Sequence, residues 1–194
     1  MIDTYKKLAD LLEYPDDDWA SMMESYASAD SADAFTKFRT GAEQLSLSDL
    51  QELYTRTFDL NPVCALEVGY HLFGENYKRG EFLAHLRETE TPFDLGQDHQ
   101  LPDYLPVLLR LLTKLEDDDL RASLMSECLL PALSKMLKAF GDGENPYRHL
   151  IELTRAALRL EVGASSGEFA DRATVSRARL PVLTNRSTGL RNGT

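Results

Sequence analysis

A chain of 194 residues, 43% hydrophobic and 27% charged, is long enough to bury a sizeable core in one soluble domain. Its apolar runs are a few residues long, far short of the roughly 20 that a spanning helix needs, and Met1-Ile-Asp-Thr-Tyr-Lys-Lys-Leu8 has no apolar leader core; a cytoplasmic protein without direct membrane insertion is expected. Net charge is −11, yet residues 163–194 hold five Arg against Glu168 and Asp171, so the rest carries −14, a field that repels nucleic acid and favours a basic partner.

Apolar residues recur at a period near 3.6 almost throughout. Tyr5, Leu8, Leu11 and Leu12 form a first stripe, ended by Pro15. Asp16–Asp18 suit a second N-terminus, with Trp19, Met22, Met23 and Tyr26 on the buried face. Ser31 is placed to cap a third helix carrying Phe35, Phe38, Ala42 and Leu45. Ser48 with Gln51 reads as a capping box opening a helix through Leu50, Leu53, Tyr54 and Thr57. Asn61-Pro62 breaks it, because proline disfavours the helical conformation in the residue before it.

The next helix is expected from about Val63 to Phe73, with Gly74 as its left-handed cap. Another follows from Asn76 to about Arg87, with Tyr77, Phe82, Leu83 and Leu86 as its apolar residues, and Gly80 reads as a point of close helix approach. Residues 88–100 are polar, hold Pro92 and Gly96, and read as an extended loop. Asp103 is placed to cap a helix whose first turn takes Pro106 and whose apolar face is Val107, Leu108, Leu111, Leu112 and Leu115. After Glu116–Asp119 a long helix runs to Phe140, kinked by Pro131. Asn145-Pro146 opens a last helix to about Leu160. No stretch alternates at period 2, so the fold is expected to be an all-α single-domain helical bundle over 1–162. Apolar periodicity fades after that, and 163–194 reads as a flexible C-terminal tail, part of which can dock or be an expression tag.

Cys64 and Cys128 lie in apolar surroundings and read as two buried thiols. There is no CxxC, no His-Glu-x-x-His, no GxGxxG, no GxxxxGK[ST] and no Gly-x-Ser-x-Gly, so zinc, nucleotide and serine-hydrolase chemistry lack their usual supports. His71, His85, His99 and His149 leave open a helical metal-dependent hydrolase built on His71, His85 and Asp103. A general helical adaptor is a further alternative.

Tyr54-x-x-Thr57-Phe58-Asp59, then His71-x-x-Gly74 and Arg79-Gly80, then Leu101-Pro-Asp-Tyr-Leu-Pro106 occur in the order of the NarJ group of molybdoenzyme assembly chaperones, within the wider TorD/DmsD family, and the chain resembles that group. Glu75-Asn76 and Tyr104 depart from its commoner residues. The resemblance implies a cytoplasmic chaperone, not an enzyme, with no cofactor of its own. Its partner would be the catalytic subunit of a molybdoenzyme such as nitrate reductase, held through an N-terminal segment that is a twin-arginine signal or its remnant until the molybdenum cofactor is inserted, before export or membrane docking. The residues expected to contact that peptide are Tyr54, Phe58, Asp59, His71, Arg79, Leu101, Pro102, Asp103, Tyr104 and Pro106. A helical groove takes an amphipathic helix by its apolar face, and an acidic one favours arginine. A monomer or a domain-swapped dimer fits equally.

Overall fold

The computed structural model describes residues 2–27, 33–96, 99–141 and 143–169. Helices account for the regular structure: α1 Ile2–Leu11, α2 Trp19–Ala27, α3 Asp33–Ala42, α4 Leu47–Tyr54, α5 Val68–Phe73, α6 Tyr77–Glu90, α7 Leu105–Leu112, α8 Asp118–Ser123, α9 Leu130–Phe140 and α10 Tyr147–Phe169. Among the described residues no strand forms; Glu67 and Tyr104 make an isolated antiparallel bridge. The architecture is the expected all-α bundle.

Helix α7 is the centre. Leu105, Pro106, Val107, Leu108, Leu109, Leu111 and Leu112 are all buried, so its apolar surface runs round the axis instead of forming one stripe. Helix α1 lies along it, with Tyr5, Leu8, Leu11 and Leu12 each at most 1% exposed. The one polar side chain in the middle of α7, Arg110, reaches back to α1 and binds Asp10 (2.9 Å) and Glu13 (2.7 Å). Helix α10 packs on α3 and α9, and α5 packs on α6 and α9. At its far end Glu161 accepts hydrogen bonds from Tyr5 (2.7 Å) and Arg121 (2.6 Å), tying α10 to α1 and α8.

Several boundaries differ from expectation. The capping box of α4 is Ser46 with Asp49, two residues before Ser48: the Ser46 side chain accepts from the Asp49 amide while Asp49 reaches back to Ser46. Ser31 lies outside the described residues. The helix expected from Val63 begins only at Val68, and 62–67 is irregular. Helix α6 continues to Glu90, which shortens the polar loop. Pro131 does not simply kink a regular helix: the chain opens into a wide turn over Leu124–Leu129, closed by Leu130 N–H to the Met125 carbonyl. The wide turn accommodates a residue that has no N–H and whose ring crowds the preceding turn. Helix α10 runs past Leu160 to Phe169, into the segment read as a tail; residues 170–194 lie outside the described part.

Both cysteines are buried and unbridged. Burial pushes the Cys128 thiol up to about 12. No helix among the described residues is long and apolar enough to cross a membrane.

Candidate functional site

Helix α4 does not stop cleanly at Tyr54. Its last turn widens over Thr55–Asp59, closed by Leu60 N–H to the Thr55 carbonyl (3.0 Å), and this wide turn carries the first motif. It buries Tyr54, Thr57 and Phe58 while leaving Asp59 and Leu60 in solvent. Such turns recur at functional sites because they re-aim side chains that a regular helix would stack. Phe58 packs edge-on against Tyr54 (5.0 Å between centroids) and Tyr147 (5.1 Å), and Thr57 accepts a hydrogen bond from Asn145 (2.8 Å).

The second and third motifs meet through the backbone. Val68 N–H donates to the Asp103 carbonyl (2.8 Å) and Leu105 N–H to the Leu66 carbonyl (2.9 Å), fixing the 66–68 strip against 103–105. Asp103 does not cap its own helix α7, where Tyr104 is the N-terminal flanking residue with no side-chain cap. Its carboxylate caps α5 instead, accepting from Gly69 N–H (3.0 Å) and from Arg79 Nε (3.2 Å) and Nη2 (3.1 Å). The Asp103 side chain is fully buried, and its other oxygen meets no donor among the described residues. Burial therefore raises its pKa, with Arg79 and the Gly69 amide pulling the other way.

The close contact also explains Gly69. A Cβ there would stand 2.6 Å from Asp103 Oδ2 and 3.0 Å from Phe82 Cδ1. Gly80, read as the point of close approach, faces open space, whereas Gly74 does end α5 with φ +61°.

These contacts leave a cleft of about 420 Å³ lined by Tyr54, Phe58, Asp59, Pro62, Ala65, Leu66, Glu67, Tyr70, Arg79, Leu101 and Tyr104. Its floor is polar and tightly bonded. The Tyr54 and Tyr104 hydroxyls touch (3.0 Å), Tyr54 donates to the Leu12 carbonyl (2.9 Å) and Tyr104 to Glu13 (3.1 Å). Both phenols are pushed upward, by burial first, with Tyr104 adding to the shift of Tyr54 and Glu13 to that of Tyr104, so they stay neutral donors. The surroundings are apolar: Leu60 and Val63, beside the lining residues Asp59 and Pro62, are 74% and 54% exposed, and the lining residue Leu101 is 46% exposed. Arg79 is engaged by Asp103 and lies 5.8 Å from the Tyr70 ring centre. Asp59 and Glu67 form no ion pair among the described residues, so the cleft has a net negative lining. Burial raises the Glu67 pKa, Asp103 adds to that, and Arg79 opposes it.

Of the ten residues expected to contact a peptide, six line this cleft: Tyr54, Phe58, Asp59, Arg79, Leu101 and Tyr104. The other four stand behind it. His71 is buried, with Nε2 against the Ala65 carbonyl (2.6 Å) and its pKa lowered by burial. Pro102 and Pro106 are buried, and Asp103 fixes the backbone. Pro62, Ala65, Leu66, Glu67 and Tyr70 are lining residues that the motifs did not single out. A second hollow of about 610 Å³ shares the wide turn through Arg56 and Thr57 but holds none of those ten residues.

The metallohydrolase alternative does not assemble. Asp103 is taken by Gly69 and Arg79 and His71 by Ala65, and the described residues gather no group of three or more His, Cys, Asp or Glu able to hold a metal.

The arrangement is a helical bundle with an open cleft whose lining carries Asp59 and Glu67 against Arg79. No family model matches the chain. Two curated proteins do: the chain is 28% identical over 163 residues to the "Probable nitrate reductase molybdenum cofactor assembly chaperone NarJ" of Bacillus subtilis (strain 168), covering 80% of this chain and 88% of that protein. It is 29% identical over 126 residues to the "Probable nitrate reductase molybdenum cofactor assembly chaperone NarW" of Escherichia coli (strain K12), covering 63% of this chain and 54% of that one. The chain is thus similar, at modest identity, to two proteins named as nitrate reductase molybdenum cofactor assembly chaperones.

Proposed function

We propose that this protein is a system-specific chaperone for a molybdoenzyme catalytic subunit of the nitrate-reductase kind. It takes the client's N-terminal segment in the Tyr54–Tyr104 cleft, in the cytoplasm, and holds the subunit until the molybdenum cofactor is inserted, before export or membrane docking. The relatives' names support the chaperone role and the client class. The observation that carries the peptide-binding part is the cleft itself, where Asp59 and Glu67, which form no ion pair among the described residues, share the lining with Phe58, Leu66 and the exposed Leu101.

That combination fits a segment with arginines next to an apolar helix face. A volume of about 420 Å³ holds a few side chains of one helix face, not a folded domain. The wide turn and the Asp103 bridge preorganise the walls, which reduces the ordering cost of binding. A guanidinium arriving beside Glu67 favours its charged form, so binding strengthens as pH rises through the raised Glu67 range.

The test is calorimetry with a synthetic peptide copying the N-terminus of a nitrate reductase catalytic subunit, over a salt series. Binding that weakens with salt, and weakens about tenfold further in an Asp59→Asn, Glu67→Gln double variant at low salt, is the expected result. No binding, or equal binding by the folded double variant, refutes it.

A further inference from the structure

Residues 170–194 follow α10 and hold Arg172, Arg177, Arg179, Arg186 and Arg191 against Asp171 alone, a net +4 on a strongly acidic protein. Within them Arg179-Leu-Pro-Val-Leu183 and Arg186 place guanidiniums beside leucines. This is the same chemistry that the cleft presents in complement: Asp59 and Glu67 for the charges, Phe58, Leu66 and the exposed Leu101 for the apolar side chains. We propose that the segment Arg179–Arg186 docks in this chain's own Tyr54–Tyr104 cleft and competes there with the client's N-terminal segment. The competition rests on the function proposed above; the contact in cis does not.

Chain length selects which arginines qualify. The first residue of α10, Tyr147, packs on the cleft residues Tyr54 and Phe58 at 5.7 and 5.1 Å between ring centres. Phe169, at the other end, lies about 33 Å further along the helix axis. The backbone of Arg177, eight residues on, spans at most about 29 Å and falls short. Arg179 reaches about 36 Å, Leu183 about 50 Å and Arg186 about 61 Å. The leucine-bearing stretch is therefore the first part of the tail whose backbone can enter the cleft.

Tethering makes weak affinity sufficient. A tether of this length gives an effective concentration on the order of 1 mM, so a segment with an intrinsic Kd near 0.3 mM occupies the cleft about three-quarters of the time. A competing peptide then binds about fourfold more weakly than it would to an open cleft. A client whose affinity exceeds this displaces the tail; loosely matched basic peptides are screened out. The tail thus acts as a selectivity filter.

The experiment uses the full chain with Thr184→Cys carrying a nitroxide. Cys64 and Cys128 are buried and their thiols are raised, so they label slowly. The expected result is paramagnetic broadening of the Tyr54, Glu67 and Tyr70 amide signals, lost in an Arg179→Glu, Arg186→Glu variant. That variant, unlabelled, is expected to bind a synthetic amphipathic peptide with two arginines and four leucines about fourfold more tightly than the parent chain. Absence of broadening at the cleft overturns the docking, and equal peptide affinity in the two proteins overturns the competition. Failure of the open variant to bind the peptide at all, with broadening intact in the parent, counts instead against the client-binding role of the cleft.

Discussion

Replacing Asp103 by Ala removes the group that joins three separate pieces of chain. Its carboxylate holds the Gly69 amide at 3.0 Å and Arg79 at 3.1 and 3.2 Å from a position with no solvent exposure. Loss of a helix cap costs about 1 kcal/mol. Breaking a buried ion pair by deleting one partner costs about 3–5 kcal/mol, but the Arg79 side chain is 21% exposed and turns to water, which puts this term near 2 kcal/mol. The sum is about 3 kcal/mol, a large share of the 5–15 kcal/mol typical of a domain. At about 2–4 °C per kcal/mol for a domain of this size, Tm falls by about 6–12 °C. Urea unfolding followed by circular dichroism reads the free energy directly, with an unchanged slope indicating the same unfolding transition. Asp103→Asn keeps an acceptor for Gly69 and recovers about 1 kcal/mol of the loss. It also removes a pH slope: burial raises the carboxyl's folded pKa, so its contribution is full below the ordinary 3.8 and declines as pH rises through the folded value. A loss below about 1 kcal/mol in Asp103→Ala would show that the α5 start does not depend on this residue.

Gly69→Ala places a methyl 2.6 Å from Asp103 Oδ2 and 3.0 Å from Phe82, and is expected to lower stability by about 1–3 kcal/mol in the same urea assay. Gly80→Ala, facing open space within α6, serves as its control and is expected to raise stability by about 0.5–1 kcal/mol. Glu161 titrates in the opposite sense to Asp103: burial raises its pKa, but hydrogen bonds from Arg121 and Tyr5 outweigh this and hold it below 4.5. Its stabilisation is therefore present above pH 4.5 and lost as pH falls through the folded value. Glu161→Gln is expected to cost about 1–3 kcal/mol at pH 7 and to flatten the stability profile below pH 4.5, checked by denaturation across a pH series.

Local chemistry was enough for much of this protein. The stripe Tyr5, Leu8, Leu11 and Leu12, the proline in the first turn of α7, the left-handed Gly74 and the all-helical class follow from side-chain period and from φ preferences within a few residues. Six cleft residues were also legible, because the motifs around Tyr54 and Tyr104 are short and ordered. The start of α5 was not. Val63–Phe73 contains no Ser, Thr, Asp or Asn to mark a cap, so periodicity alone carried the helix back to Val63. The first two donor groups of α5, the Val68 and Gly69 amides, are satisfied from Asp103, far along the chain, and 62–67 is thereby freed to wall the cleft with Pro62, Ala65, Leu66 and Glu67. The same distant contact makes Gly69, not Gly80, the glycine that must lack a side chain. A cap supplied from another segment, and the space it forbids, exist only once the chain has closed on itself; period and propensity report a residue's neighbours in sequence, and neither reports its neighbours in space.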